Sequence, residues 1–257
     1  LALVVAAVSI LGLREYFRLI FEPFPNGQPT HSDPAQVELH GMAPHRFCYL
    51  SYLIAPAWVL ATALFDRQIL AILIPLLFTV FVGAAIVGFQ PGAGVIDGLF
   101  KHVVGFLYIP FLLSHLVLIR NGSDGIAWMY FLLCVVFAGD TGAYYAGSYR
   151  GRHKLCPSVS PGKTVEGSIG GLVSNAVIGL LFKWLFLPAL GWQTCIRRGL
   201  SVGAAGQIGD LFETMLKRQS GIKDSGTLFP GHGGVLDRVD ALLFAAPVAY
   251  WFKVYAV

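Results

Sequence analysis

The chain has 257 residues, of which 56% are hydrophobic and only 12% are charged. Soluble domains contain about 25% charged residues, so most of this surface cannot face water and a soluble globular enzyme is excluded. The net charge of +4 indicates cytoplasmic loops near anionic lipid rather than a nucleic-acid partner. The four cysteines are scattered without a CxxC pair, which argues against a disulfide scaffold.

Apolar runs recur along the whole chain. A span needs about 20 mainly apolar residues, because a helix of that length covers the hydrocarbon core. In chain order, the candidates are residues 1–21, 46–65, 69–89, 103–119, 125–148, 167–187, 199–216 and 239–257. These runs lack the alternating pattern of a membrane β-barrel. The sequence therefore predicts an all-α, polytopic transmembrane helix bundle with about eight spans.

The first span begins on Leu1 inside an apolar run and without an initiator Met, so we expect a missing N-terminal piece. The segment from Glu22 to His45 contains five prolines and is predicted to be an irregular loop. We expect two functional parts. Residues 1–124 would form a transmembrane scaffold, and residues 125–257 would form the catalytic region with its cytoplasmic loops.

The basic residues predict which loops face the cytoplasm. Eight spans place alternate loops on one side of the membrane. One side then carries Arg46, Lys101, Arg150, Arg152, Lys154, Lys163, Lys217, Arg218, Lys223 and Arg238. The other side carries Arg67, Arg120, Arg197 and Arg198. The excess predicts that the first side is cytoplasmic.

Five carboxylates lie within or at the ends of the last predicted spans. Ionisable residues in spans are costly and usually functional. Residues three or four apart share a helix face, so Asp210 and Glu213 lie on one face of their helix. Asp237 and Asp240 likewise share a face, and Asp140 lies in span five. Such carboxylates suit hard cations. The alternative is that they only form ion pairs with neighbouring lysines and arginines.

A basic set lies beside these carboxylates. It offers more positive charges than the nearby carboxylates can neutralise, which favours a phosphate-rich ligand bound together with Mg²⁺. They are Lys163, Lys217, Arg218, Lys223 and Arg238, with the run 150–154. That run has an equally good alternative as a lipid-facing loop that sets topology. The glycine-rich Pro230–Gly234 precedes a predicted helix start, where backbone NH groups favour anions.

The stretch Ser160-Pro-Gly-Lys-Thr164 is similar to part of a phosphate-binding P-loop. The P-loop pattern requires Gly six residues before the lysine, and that position is Pro157. No β-strand is predicted before it either. We therefore reject the P-loop and keep Lys163 as a candidate phosphate contact.

The segment from Thr214 to Asp240 closely resembles the signature of the bacterial phosphatidate cytidylyltransferase (CDP-diacylglycerol synthase) family. The matching positions are Lys217-Arg218, Lys223-Asp224, Gly226, Phe229-Pro230, His232-Gly233-Gly234, Asp237-Arg238 and Asp240. Thr214 replaces the usual Ser and keeps the hydroxyl. Further blocks are similar at residues 139–144, 158–167 and 209–213, and Arg14-Glu15-Tyr16 is similar to a Trp-Glu-aromatic element of the family.

The resemblance implies that CTP and phosphatidic acid give CDP-diacylglycerol and pyrophosphate, within phospholipid biosynthesis. It implies that Asp210 and Asp237 hold Mg²⁺, with a second cation of open identity, and that Glu213, Asp140 and Asp240 are outer ligands or orienting partners. The implied catalytic set also contains Asp224. The implied phosphate and substrate contacts are Lys163, Ser160, Thr164, Lys217, Arg218, Lys223, His232, Gly233, Gly234 and Arg238. His232 would donate to a phosphate or order its loop.

The implied location is the bacterial inner membrane, with the site facing the cytoplasm, and a homodimer is an open option. The family usually has a further N-terminal span, which fits the expected missing piece. Two alternatives remain. A CDP-alcohol phosphotransferase also uses clustered aspartates, but its motif is absent from this sequence. An ion-coupled transporter would use Asp140 and Asp210 as its ion site, and it leaves the His-Gly-Gly loop unexplained.

Overall fold

The computed structural model describes residues 1–21, 44–65, 67–91, 94–186, 191–222, 224–226, 228 and 233–255. Most of the predicted loop from Glu22 to His45 lies outside these residues. So do two of the predicted site residues, Lys223 and His232. The statements below concern the described part of the chain.

The described fold is almost entirely helical, as predicted. Its helices are α1 (Ala2–Phe21), α2 (Pro44–Leu64), α3 (Arg67–Val87), α4 (Val95–Phe106), α5 (Leu112–Asn121), α6 (Gly125–Arg150), α7 (Val165–Leu185), α8 (Trp192–Gln219) and α9 (Leu236–Tyr255). One small antiparallel hairpin joins α6 to α7 and consists of β1 (Lys154–Cys156) and β2 (Ser160–Thr164). The prediction contained no strand at this position.

Four of the described helical segments are long and apolar enough to cross a membrane. They are Ile69–Val87, Val95–Asn121, Gly125–Arg150 and Val165–Leu185. The predicted spans 1–21, 199–216 and 239–257 are also helical, as α1, α8 and α9. Helices α1 and α9 carry more charged residues than a plain span, and α8 is less apolar. The all-α membrane bundle is thus consistent with the structure.

The fourth predicted span is interrupted by a π-helical turn. Helices α4 and α5 are joined through the turn Leu107–Phe111, which contains Pro110. Proline lacks a backbone NH and clashes with the preceding helical turn, so a wider turn accommodates it. The helical segment Val95–Asn121 is longer than the predicted 103–119 because its first half is amphipathic. There, Lys101 pairs with Asp97 at 2.6 Å, one turn earlier.

Contacts divide the chain into two compact units. Unit 1 comprises residues 1–117 and 219–236, and unit 2 comprises residues 118–218 and 237–257. The core of unit 1 is aromatic: the Trp58 and Phe106 rings meet edge to face with centroids 5.5 Å apart. The indole NH of Trp58 donates to Ser114 Oγ over 3.1 Å. The predicted functional division at residue 124 stays a prediction.

Unit 2 is built on close packing between α6 and α7. A methyl group at Gly142 of α6 would lie 2.8 Å from Ser174 Cβ and 2.9 Å from the Gly170 carbonyl oxygen of α7. Without a hydrophobic driving force between helices in lipid, small residues let backbones approach and gain van der Waals contact. Thr164 fixes the start of α7, because its hydroxyl accepts a hydrogen bond from the Gly167 NH over 3.1 Å. The hairpin is thereby held at the end of this helix pair.

Candidate functional site

Four elements of unit 2 contribute charged residues to one region. We define the lysine–carboxylate cluster as Asp140 of α6, Lys163 of β2, Asp210, Glu213 and Lys217 of α8, and Asp237 and Asp240 of α9. A methyl group at Gly209 would collide with the Asp240 carbonyl oxygen, so α8 and α9 approach each other closely beside Asp210. The sequence predicted every member of this cluster.

The first ion pair of the cluster joins the hairpin to α8. Lys163 Nζ lies 2.5 Å from Asp210 Oδ2, and about a third of each side chain is exposed. Asp210 is oriented further by Thr214, whose hydroxyl lies 2.8 Å from the Asp210 carbonyl oxygen and 3.4 Å from its Oδ1. The hydroxyl that the sequence retains at position 214 therefore contacts the carboxylate of interest.

The second group is centred on Lys217. Its ammonium lies 2.6 Å from Glu213 Oε2 and 2.7 Å from Asp237 Oδ1. Glu213 is fully buried and Lys217 largely so. Burial lowers the pKa of Lys217, but its hydrogen bonds to the two carboxylates outweigh this effect and its pKa lies above the ordinary value. Lys217 therefore stays charged and joins α8 to α9.

The remaining carboxylates lie within electrostatic range of these pairs. Asp140 interacts with Asp210 and Lys163, and Asp240 interacts with Asp210, Asp140 and Lys217. No group of three or more His, Cys, Asp or Glu side chains in the described residues is placed to hold a metal ion. Asp210, Glu213 and Asp237 form ion pairs with lysines, and their predicted role in holding a metal ion stays a prediction.

A pocket opens beside the cluster, and the sequence did not predict its shape. It has a volume of about 460 Å³, within the range of ligand pockets, and lies between α6, the hairpin, α7 and α8. Its wall includes Asp140, Tyr144, Lys163, Ser168, Gln207 and Asp210. We call it the α6–α7 pocket. Ser168 and Gln207 were missed, since a lone serine and glutamine on apolar helices have no motif.

Gln207 and Ser168 form two hydrogen bonds with each other in the wall of this pocket. The Ser168 hydroxyl donates to Gln207 Oε1, and Gln207 Nε2 donates to the Ser168 carbonyl oxygen over 3.1 Å. The amide of Gln207 is therefore fixed in one orientation. A fixed polar edge in the pocket wall suits a ligand that carries its own donors and acceptors.

Other predicted residues of unit 2 lie in the hairpin, at the end of α8 and in the first turn of α9. Arg218 is exposed, and its Nε donates to the Val159 carbonyl oxygen of the hairpin over 3.3 Å. Ser160 lies opposite Cys156 in the hairpin, and Thr164 lines the pocket while it caps α7. Arg238 is exposed on the first turn of α9.

We call residues 224–236 the glycine-rich segment; it belongs to unit 1, and its residues 224–226, 228 and 233–236 are described. There, Asp224 is exposed, and Gly233 adopts a φ of 79°, a conformation that favours glycine. Gly234 is buried beside Glu15 of α1, a residue that the sequence singled out only through its family resemblance. Its contacts with this segment could not be foreseen, because they join residues more than 200 positions apart.

The apolar helices and the charged cluster define a multi-pass membrane protein with a polar site built on its helices. The chain belongs to the cytidylyltransferase family, whose profile matches residues 1–256. This membership confirms the resemblance inferred from the sequence.

Individual relatives agree with the family. A phosphatidate cytidylyltransferase of Synechocystis sp. is 31% identical over 281 residues, covering 97% of this chain and 87% of the relative. The phosphatidate cytidylyltransferase of Bacillus subtilis is 38% identical over 154 residues, covering 58% of this chain and 57% of the relative. An uncharacterized Escherichia coli protein, YnbB, is 33% identical over 260 residues, covering 97% and 78%. The Bacillus alignment thus spans little more than half of either protein.

Proposed function

We propose that the protein is a phosphatidate cytidylyltransferase, which transfers the cytidylyl group of CTP to phosphatidic acid in phospholipid biosynthesis. Family membership and the named relatives support this function. The structural observation that carries the proposal is the α6–α7 pocket, whose wall places Lys163 and Asp210 at the hairpin end of apolar helices. Such a site suits one substrate from the bilayer and one from water.

The reaction exchanges one phosphoanhydride bond for another. A phosphate oxygen of phosphatidic acid attacks the α-phosphorus of CTP, and the bond from that phosphorus to the β-phosphate bridging oxygen breaks. The products are CDP-diacylglycerol and pyrophosphate. Because the attacking phosphate is already an anion, catalysis depends on positioning and on neutralising phosphate charge rather than on a general base.

Lys163 is the best-placed phosphate contact. An ammonium has three NH donors, and Asp210 engages Lys163 at one site, which leaves donors for a ligand in the pocket. Arg218 donates from its Nε to the hairpin, and its two terminal NH2 groups can donate to phosphate oxygens. Lys217 is already engaged by two carboxylates. We therefore assign Lys217 mainly to holding the cluster together.

The donor set fits Mg²⁺ chemically. Mg²⁺ takes oxygen ligands and is usually held by one or two carboxylates together with substrate phosphates and water, so a cage of three protein ligands is not required. Asp210 and Asp237 would hold the ion, with Glu213, Asp140 and Asp240 around them. A bound Mg²⁺ would neutralise charge on the reacting phosphates. A second cation remains part of the proposal through the family resemblance.

The proposed location is the bacterial inner membrane, with the pocket facing the cytoplasm. The excess of lysine and arginine in the loops that contain the hairpin and the end of α8 supports this orientation. A homodimer is proposed from the family resemblance alone.

The decisive experiment uses purified protein with radiolabelled CTP and phosphatidic acid in mixed micelles, with and without Mg²⁺. We expect labelled CDP-diacylglycerol and an equal amount of pyrophosphate. Absence of product with every divalent cation would overturn the proposal. Nucleotide-independent ion flux in proteoliposomes would instead favour the transporter alternative.

The roles of the two aspartates are tested separately. Asp210→Asn and Asp237→Asn should each abolish turnover while the protein still inserts and elutes as a monodisperse species. Asp97→Asn is a matched control, because Asp97 forms an ion pair on α4 and is not assigned to the site. Substantial activity in either site variant would remove that residue from the proposed metal site.

A further inference from the structure

The side chain of Glu15 is buried in unit 1, with 9% of the residue exposed. Its carboxylate receives three hydrogen bonds from the glycine-rich segment. The backbone NH groups of Val235 and Leu236 donate to its two oxygens over 2.8 Å each, and the Ser225 hydroxyl donates over 3.0 Å. A residue of the first helix thus contacts Ser225 as well as Val235 and Leu236.

These contacts place the carboxylate at the N-terminus of α9. That helix begins at Leu236, and the first NH groups of a helix have no partner within it. The positive end of the helix dipole also favours a negative charge at this point. Glu15 therefore supplies, from another helix, the capping group that the preceding glycines lack.

Two described glycines, Gly226 and Gly234, lie directly against this carboxylate. A methyl group at Gly226 would lie 2.5 Å from Glu15 Oε1 and 2.9 Å from its carboxyl carbon. Such a distance is too short for a non-bonded contact, so an alanine at position 226 must displace the carboxylate. Gly234 is similarly crowded by Glu15 and Ser225. Glycine at positions 226 and 234 therefore leaves the space that the Glu15 carboxylate occupies.

We infer that Glu15 is a positioning residue for the cytidylyl transfer: its carboxylate fixes Ser225, Val235 and Leu236, and with them the residue at which α9 begins. The inference rests on the proposed function. Leu236 directly precedes Asp237 along the chain, and Ser225 directly follows Asp224; both aspartates are predicted site residues. Loss of the Glu15 contacts would shift these neighbours without removing either of them.

The first test measures the order of the segment without any activity. Val235 is 5% exposed, so a cysteine at this position should react slowly with a maleimide. The background is a full-length protein with its four native cysteines replaced by alanine. In this background, Val235→Cys should label at least tenfold faster when Glu15→Gln is added. The amide of glutamine would set a donor against the NH groups of Val235 and Leu236.

Glu166→Gln is the matched control for the labelling. Glu166 also accepts backbone hydrogen bonds, from Arg152 and His153, but it lies in unit 2. Adding Glu166→Gln should change the labelling rate of Val235→Cys less than twofold. An unchanged labelling rate in Glu15→Gln would overturn the inference, whether or not the protein makes CDP-diacylglycerol.

The second test is a double-mutant cycle on turnover. With Glu15 present, Gly226→Ala should lower kcat at least tenfold per folded molecule. In a Glu15→Asp background the shorter side chain leaves room for the methyl group. There, Gly226→Ala should lower kcat less than threefold. The KM for CTP should change less than twofold in Glu15→Asp. Equal losses in both backgrounds, or a kcat that is unchanged per folded molecule, would overturn the positioning role.

The two proposals fail separately. If the unsubstituted protein makes no CDP-diacylglycerol, the proposed function is wrong, and the labelling experiment still decides whether Glu15 orders the segment. If the unsubstituted protein is active and the cycle is additive, the function stands and the positioning role of Glu15 is wrong.

Discussion

Replacement of Lys163 by alanine tests whether the α6–α7 pocket binds the phosphates of CTP. The side chains of Lys163 and Asp210 are 29% and 34% exposed, so their ion pair contributes only about 0.2–1 kcal/mol to stability. A hydrogen bond from an ammonium to a phosphate contributes about 1.5–3 kcal/mol. The substitution should therefore hardly change Tm, whereas kcat/KM for CTP should fall about 10- to 150-fold.

The assay is initial-rate formation of CDP-diacylglycerol over a series of CTP concentrations, together with thermal unfolding in detergent. Lys154→Ala is the matched control, because Lys154 lies on the same hairpin opposite Thr164 and does not line the pocket. It should retain kcat/KM within twofold. If Lys163→Ala also retained its kcat/KM, the pocket would not be the phosphate site and the assignment of Lys163 would be wrong.

Two further predictions concern α8. Lys217→Met leaves the buried Glu213 and Asp237 without their shared cation and should destabilise the protein by about 3–5 kcal/mol, while adding Glu213→Gln should recover part of the loss. Thermal unfolding of the single and double variants measures this, and equal Tm values for Lys217→Met and the unsubstituted protein would contradict it. Thr214→Ser should keep full activity, whereas Thr214→Val should lose about fivefold in kcat, since a neutral hydrogen bond contributes about 1 kcal/mol. Steady-state rates decide this, and equal rates for Ser and Val would show that the hydroxyl does not orient Asp210.

The apolar helices could be predicted from the sequence because lipid-facing residues leave an uninterrupted pattern. Predicted spans 69–89, 125–148 and 167–187 differ by only a few residues from the helices Arg67–Val87, Gly125–Arg150 and Val165–Leu185. Hydropathy failed to predict the helix bounds where a helix carries polar residues that pair with each other. The ion pair between Asp97 and Lys101 extends α4 over residues that hydropathy alone excluded.

The charged residues of the cluster could also be predicted, but their partners could not. Spacing along one helix anticipates that Glu213 meets Lys217 one turn later. It does not indicate that Lys163 of the hairpin reaches Asp210, because that contact depends on how α6 and α7 bring the hairpin to α8. The hairpin itself was missed because strands of three and five residues are too short to show a period.

Contacts at long range escaped prediction entirely. Gln207 was found only through the pocket that it lines, and the partners of Glu15 only through hydrogen bonds across 210 to 221 positions. Neither residue type carries a spacing rule that identifies a partner on a distant helix.

The contact between Glu15 and the start of α9 has a consequence for biosynthesis. A chain is made from its N-terminus, so the acid of α1 is synthesised about 220 residues before the NH groups that receive it. Until then, the nascent helix carries an acid that lipid does not tolerate well. Unit 1 therefore cannot reach its final state while its last segment is still in the ribosome. We conclude that α1 receives its final contacts only from a segment that is made about 220 residues later.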